Sequence, residues 1–173
     1  MLHNAQVHFK VVFGLSATHP RVTYLDTFSF GGYVAHRKEL SLSPAREKQA
    51  FAALEHCGTY LAAVQVHSAL ESIYPGPFHI PESEIAAAFQ IARLLRNAFA
   101  HNPLGPVWEI RDAWKNQIFD VPGAIRLDTS GVDGQAMKRK HYGGPLAILG
   151  LLGYAESIVD LRARQQITQL HCM

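Results

Sequence analysis

Apolar and polar positions divide the chain into an opening stretch of period two and three longer stretches of helical period. In the opening, Val7, Phe9, Val11 and Phe13 alternate with His8, Lys10 and Val12. That alternation puts every second side chain on one face of a strand. Residues 22–30 are also rich in β-branched and aromatic side chains, until Gly31-Gly32 breaks the pattern. A strand pair or an extended arm is predicted within residues 1–42.

A long helix is predicted over 44–74. Ser43 can cap it and Pro44 suits its first turn, where the missing N–H is no loss. Phe51, Leu54, Leu61, Val64 and Leu70 keep a helical period and are expected to face a core. Tyr74-Pro75-Gly76-Pro77 stops the helix. A second helix opens at Pro81-Glu82-Ser83-Glu84, with acid in its first turn complementing the dipole. Ile85, Ala88, Phe89, Ala92, Leu95 and Phe99 mark its apolar face. It ends at Asn102-Pro103, because the residue before proline avoids the helical region. The short link between these helices predicts antiparallel neighbours.

A β insert is predicted at about 107–135, with candidate strands at 107–111, 117–121 and 124–128. Val121-Pro122-Gly123-Ala124 fits a type II turn, with proline at its second position and glycine at its third. Asp133-Gly134 is a second turn candidate. A last helix is predicted at roughly 145–165, opened by Gly143-Gly144-Pro145. Its apolar run over 146–159 is short for a bilayer and is interrupted by Glu156, so a buried helix of a soluble protein is expected. The fold class is mainly α, as one domain over 43–173 behind the N-terminal segment.

Composition narrows the function. The chain has 173 residues, 48% of them apolar and 17% charged, which suits one domain with a sizeable core and excludes a disordered chain. The net charge of +2 supplies no global basic field, so nucleic-acid binding needs a local patch. Two cysteines, Cys57 and Cys172, exclude a disulfide scaffold and suit free thiols in a reducing compartment. No basic stretch followed by an apolar one opens the chain, so a cytoplasmic protein without a membrane partner is expected. Ten histidines raise the question of a metal. Yet there is no His-Glu-x-x-His, no Cys-x-x-Cys and no carboxylate cluster at ligand spacing, and His56-Cys57 would point about 100° apart on a helix. No metal and no cofactor are expected. Trp108 and Trp114 flank the insert and are read as packing anchors.

The second helix carries the chemistry. With Arg93 set at zero, Arg96 falls near about −60°, Asn97 near +40°, Gln90 near +60° and His101 near +80°. These five polar residues form one stripe on an otherwise apolar helix, with Ala86 and Ala100 inside it. On periodicity alone the stripe is equally a solvated face. Arg93 reads as a phosphate contact or as half of an intramolecular ion pair. The one dense basic run, Lys138-Arg139-Lys140-His141, reads as RNA contact or as a solvated turn before the last helix.

Arg96-Asn97-Ala98-Phe99-Ala100-His101 resembles the Arg-Asn-x-x-x-His motif of the HEPN superfamily (higher eukaryotes and prokaryotes nucleotide-binding). The resemblance implies an up-and-down helical bundle with the motif toward the end of a long helix. It does not extend to residues 1–42 or to the β insert. Many members are metal-independent endoribonucleases, some of them toxins or phage-defence effectors, that act as homodimers with two motif helices facing each other. Others are non-catalytic nucleotide- or protein-binding regulatory modules. Carried over, Arg96 and His101 are catalytic and Asn97 supports them. Arg93, Lys138, Arg139 and Lys140 are candidates for RNA contact. A homodimer, RNA or a nucleotide, and a protein antitoxin are the expected partners.

Overall fold

The computed structural model describes residues 2–4, 6, 7, 10, 27–30, 33–36, 44–74 and 83–171. Two strands, β1 (Thr27–Phe30) and β2 (Tyr33–His36), pair antiparallel with Thr27 opposite His36 and Phe30 opposite Tyr33. Helix α1 (Pro44–Ile73) is followed by α2 (Ser83–Ala100). A 3₁₀ turn at Asp112–Trp114 leads to β3 (Ile118–Val121) and β4 (Ile125–Asp128). The short α3 (Arg139–Tyr142) and the long α4 (Gly144–His171) complete the chain. The protein is therefore mainly α, with two small antiparallel β pairs among the described residues.

Helix α1 packs against both α2 and α4. Tyr60 and His56 meet Phe99, while His67 further along α1 meets Phe89. Later residues of α1 thus meet earlier residues of α2, and the pair is antiparallel. Tyr74 at the far end of α1 bonds Arg162, and Glu55 nearer its start bonds Arg139, so α4 runs parallel to α1. The core gathers Leu70, Phe89, Ile91, Leu94, Leu95, Phe99, Trp108, Leu127, Ile148, Leu151 and Leu152, all almost fully buried. Burial of side chains this large is the main stabilising term of the fold.

Pro44 and the Asn102-Pro103 pair lie at the helix limits expected for them. The β3–β4 turn also forms as expected. Ala124 N donates to Val121 O at 3.0 Å and Gly123 takes a positive φ of 74°, which a residue with a Cβ resists. At Asp133-Gly134 the chain turns again, with Gln135 N donating to Val132 O at 2.9 Å. Helix α4 approaches the first turn through Gly150, where a Cβ would stand 2.8 Å from the Ala124 carbonyl oxygen. Only glycine permits that contact.

Four expectations need correction. Val7 lies in a helical stretch, not a strand, and its neighbours dock it on α4. Gln6 Nε2 donates to Glu156 Oε2 at 2.8 Å and Leu2 joins the core. Phe9, Val11, Phe13 and residues 22–26 lie outside the described residues. Residues 107–111 form no strand beside β3. They meet residues 133–137 instead, through one bridge from Val107 to Ala136, Trp108 N donating to Gln135 O, and Gly134 N donating to Trp108 O. That pairing satisfies the backbone of the segment while Trp108 enters the core.

The third correction concerns the face of α1. Leu54 and Leu61 are exposed by 44% and 53%, and the buried face is Glu55, Thr59, Ala62, Ala63, Val66, His67 and Leu70. Small and polar side chains let α2 and α4 come close, and the leucines rotate outward. Last, α4 is buried on one side only. Ile148, Leu151, Leu152 and Ala155 face the core, while Leu146, Leu161 and Ile167 are exposed. By length and composition alone, residues 139–165 are apolar enough to cross a membrane.

Candidate functional site

The polar stripe of α2 is only partly a solvated face, since His101 alone of its five residues is exposed. Gln90, Arg93, Arg96 and Asn97 are all half-buried, and Gln90 Oε1 is buried without a hydrogen-bond partner. What covers the stripe is α1 on one side and the 3₁₀ turn on the other.

On the α1 side, Arg96 Nη1 lies 3.3 Å from His67 Nδ1. A guanidinium only donates, so the imidazole accepts at Nδ1 and carries its proton on Nε2. The neutral ring is what its surroundings favour. Burial, then the positive charge of Arg96, holds the His67 pKa below the ordinary histidine value. Glu71 Oε2, at 3.6 Å, opposes that only in part. His67 also stacks on Phe89, with ring centroids 4.5 Å apart. Among the described residues no carboxylate stands within ion-pair distance of Arg96. Its guanidinium is held by a neutral acceptor.

On the other side, Arg93 lies over the Trp114 ring, with Cζ 4.7 Å from the centroid. Among the described residues no carboxylate stands within ion-pair distance of Arg93. Arg111 approaches the same ring at 5.7 Å. Trp114 thus does more than anchor packing. Trp108 fills the anchoring role, fully buried, with Nε1 donating to His141 Nδ1 at 2.8 Å.

His101 sits just past the end of α2 and is exposed. Its Nε2 is 3.5 Å from Glu109 Oε1. Asn102 Oδ1 accepts from Leu104 N and Gly105 N at 3.2 and 3.1 Å, which turns the chain sharply after the histidine. Arg96 and His101 therefore diverge within one chain. The first points to α1, and the second toward the segment that follows the helix.

The run at 138–141 is built differently. Arg139 Nε donates to Glu55 Oε1 at 2.8 Å, and its Nη2 bonds Glu55 Oε2. Glu55 is only 4% exposed. Such a bidentate pair holds a buried carboxylate that would otherwise be unsatisfied. His141 Nδ1 accepts from Lys138 N at 3.3 Å as well as from Trp108, and burial followed by Lys140 lowers its pKa. Of the predicted RNA contacts in this run, Arg139 is committed to α1, and Lys138 and Lys140 remain exposed.

A cleft of about 550 Å³ is lined by Tyr74, Ser83, Ile85, Tyr154 and Arg162 among others. It lies at the start of α2, the opposite end from His101, and belongs to another part of the molecule. Sequence reading missed His67, Arg111 and Glu109. His67 breaks the apolar pattern of α1 one helical turn before Glu71, a signal that identifies it only once α2 is known to pack there. Compared with protein-family models, with curated proteins and with solved structures, the chain matches none.

Proposed function

We propose that this chain is a metal-independent endoribonuclease of the HEPN kind, acting as a homodimer in the cytoplasm. The observation that carries the reading is Arg96, a half-buried guanidinium braced by a neutral imidazole, with no carboxylate among the described residues within ion-pair distance. A positive charge without such a partner in a partly dry setting suits the extra negative charge on the phosphorane oxygens of RNA cleavage. An imidazole can both take and give a proton, so the His101 of one copy can take the 2′-hydroxyl proton and that of another can protonate the leaving 5′ oxygen. The 2′ oxygen then bonds phosphorus as the 5′ oxygen leaves. The products are a 2′,3′-cyclic phosphate and a 5′-hydroxyl. Asn97, one turn before His101, is suited to orienting the imidazole or a phosphate oxygen.

Divergence of Arg96 from His101 is the reason for requiring two copies. A two-fold contact brings identical helices together, so the His101 of one protomer can complete the site of the other. The HEPN-like arrangement of the bundle and a role as a toxin or phage-defence effector with a protein antitoxin belong to this reading.

Cleavage of labelled RNA in excess chelator tests it. Arg96→Ala and His101→Ala are each expected to lower the rate by about 10²- to 10⁴-fold. Undiminished cleavage in either variant removes that residue from the mechanism. A second reading, a non-catalytic nucleotide- or protein-binding module, is favoured by the contact between His101 and Glu109. It predicts retained nucleotide binding with no cleavage.

A further inference from the structure

Arg93 and Arg111 converge on one tryptophan, and the acids around them are engaged elsewhere. Asp112 and Asp133 both lie 2.9 Å from Lys115 Nζ. Asp133 also accepts from Ile110 N at 2.9 Å. Glu109 faces His101, and Glu71 faces His67. Arg93 is thus left beside two further guanidiniums. Burial, then the charges of Arg111 and Arg96, lowers its pKa, with only the exposed Glu71 offsetting them. Like charges gathered in one place repel, and an anion between them relieves whatever repulsion solvent does not screen.

The platform beneath them is fixed. Thr129 is buried, and its Oγ1 donates to the Trp114 carbonyl oxygen at 2.6 Å. Trp114 N donates to Arg111 O at 2.8 Å. An indole face held in this way orients a guanidinium plane and leaves its N–H edge for a ligand.

We propose that Arg93, Arg111 and the Trp114 ring form a phosphate-binding subsite for single-stranded RNA, adjoining the α2 stripe and holding the strand beside the scissile phosphate. This rests on the endoribonuclease reading for its substrate class. The two guanidiniums bind a phosphodiester by charge-assisted forks, and Trp114 is a positioning residue that holds them apart and in plane. The subsite reads backbone, not base, so it favours no sequence.

Fluorescence anisotropy of a short labelled oligouridylate, bound to the His101→Ala protein so that the probe stays intact, tests this. Arg93→Ala and Arg111→Ala should each weaken binding roughly tenfold or more. Each should also make the slope of log affinity against log salt shallower by about 0.7 per lost phosphate contact. Trp114→Leu should weaken binding while leaving the salt slope unchanged, and Arg111→Lys should restore the slope. Thermal melts of all variants separate loss of the subsite from loss of the fold. No binding by the parent, or equal affinities and slopes across the series, overturns the proposal. Cleavage by the wild-type chain that is indifferent to Arg111 overturns the subsite and spares the ribonuclease reading. Binding that needs Arg111 without any cleavage does the reverse.

Discussion

Two basic clusters of this protein, one contiguous in sequence and one assembled by the fold, differ in how their charges are partnered. At 138–141, Arg139 closes a bidentate pair on buried Glu55, and His141 serves as acceptor for Trp108. That cluster binds α3 to α1 and to the β region. Around Trp114, Arg93 and Arg111 have an aromatic ring for a partner and Arg96 has a neutral imidazole. The central arginine of the first is paired with a buried acid, while the arginines of the second have no acid partner among the described residues. The difference shows that a basic residue's place in a dense run does not tell whether its charge is already paired within the fold.

The largest effect is expected where the buried pairing is removed. Arg139→Ala leaves Glu55 buried without its partner and should cost about 2–3 kcal/mol. The thermal midpoint should then fall by roughly 4–12 °C, read by calorimetry. RNA affinity should be little changed, and a large loss of affinity with intact stability would reverse the assignment of this cluster.

The second prediction concerns His67. Its folded pKa lies below the unfolded value of 6.5 because of burial and Arg96. The unfolded chain therefore binds the proton more readily, so stability rises with pH through this range. The contribution is complete above 6.5 and is lost as pH falls from there through the folded value. His141 acts in the same direction. In urea titrations between neutral and mildly acidic pH, His67→Gln should flatten the dependence and His141→Gln should flatten it in part. An unchanged slope in His67→Gln would mean that the imidazole does not brace Arg96 in its neutral form.

The smallest effect belongs to Lys138 and Lys140, which are exposed. Replacing both with alanine should alter stability by no more than about 0.5 kcal/mol, measured by denaturant unfolding. A loss of RNA affinity as large as that from Arg111→Ala would show that both clusters face the strand.

Much of the fold was legible because its boundaries are set by local chemistry. Pro44 starts α1, Asn102-Pro103 ends α2, and Pro122-Gly123 turns β3 into β4. These depend on allowed backbone angles and missing donors, which a residue carries wherever it is placed. The face of α1 was not legible. Leu54 and Leu61 are more apolar than Thr59 or His67, yet the latter pair is buried. Which side is covered depends on where α2 and α4 approach, and small side chains allow the closest approach. Residues 107–111 failed as a strand for a related reason, since any extended segment can pair with several others.

The three long helices, the Pro122-Gly123 turn and the polar stripe from Gln90 to His101 could be read from the chain alone, because each follows from residues near one another in it. Only tertiary structure decided that His67 braces Arg96, that Arg93 and Arg111 share Trp114, and that Glu55 claims Arg139. Electrostatic partnership depends on distance in space. Residues 29 or 84 positions apart in sequence become partners only when the packed core brings their helices together.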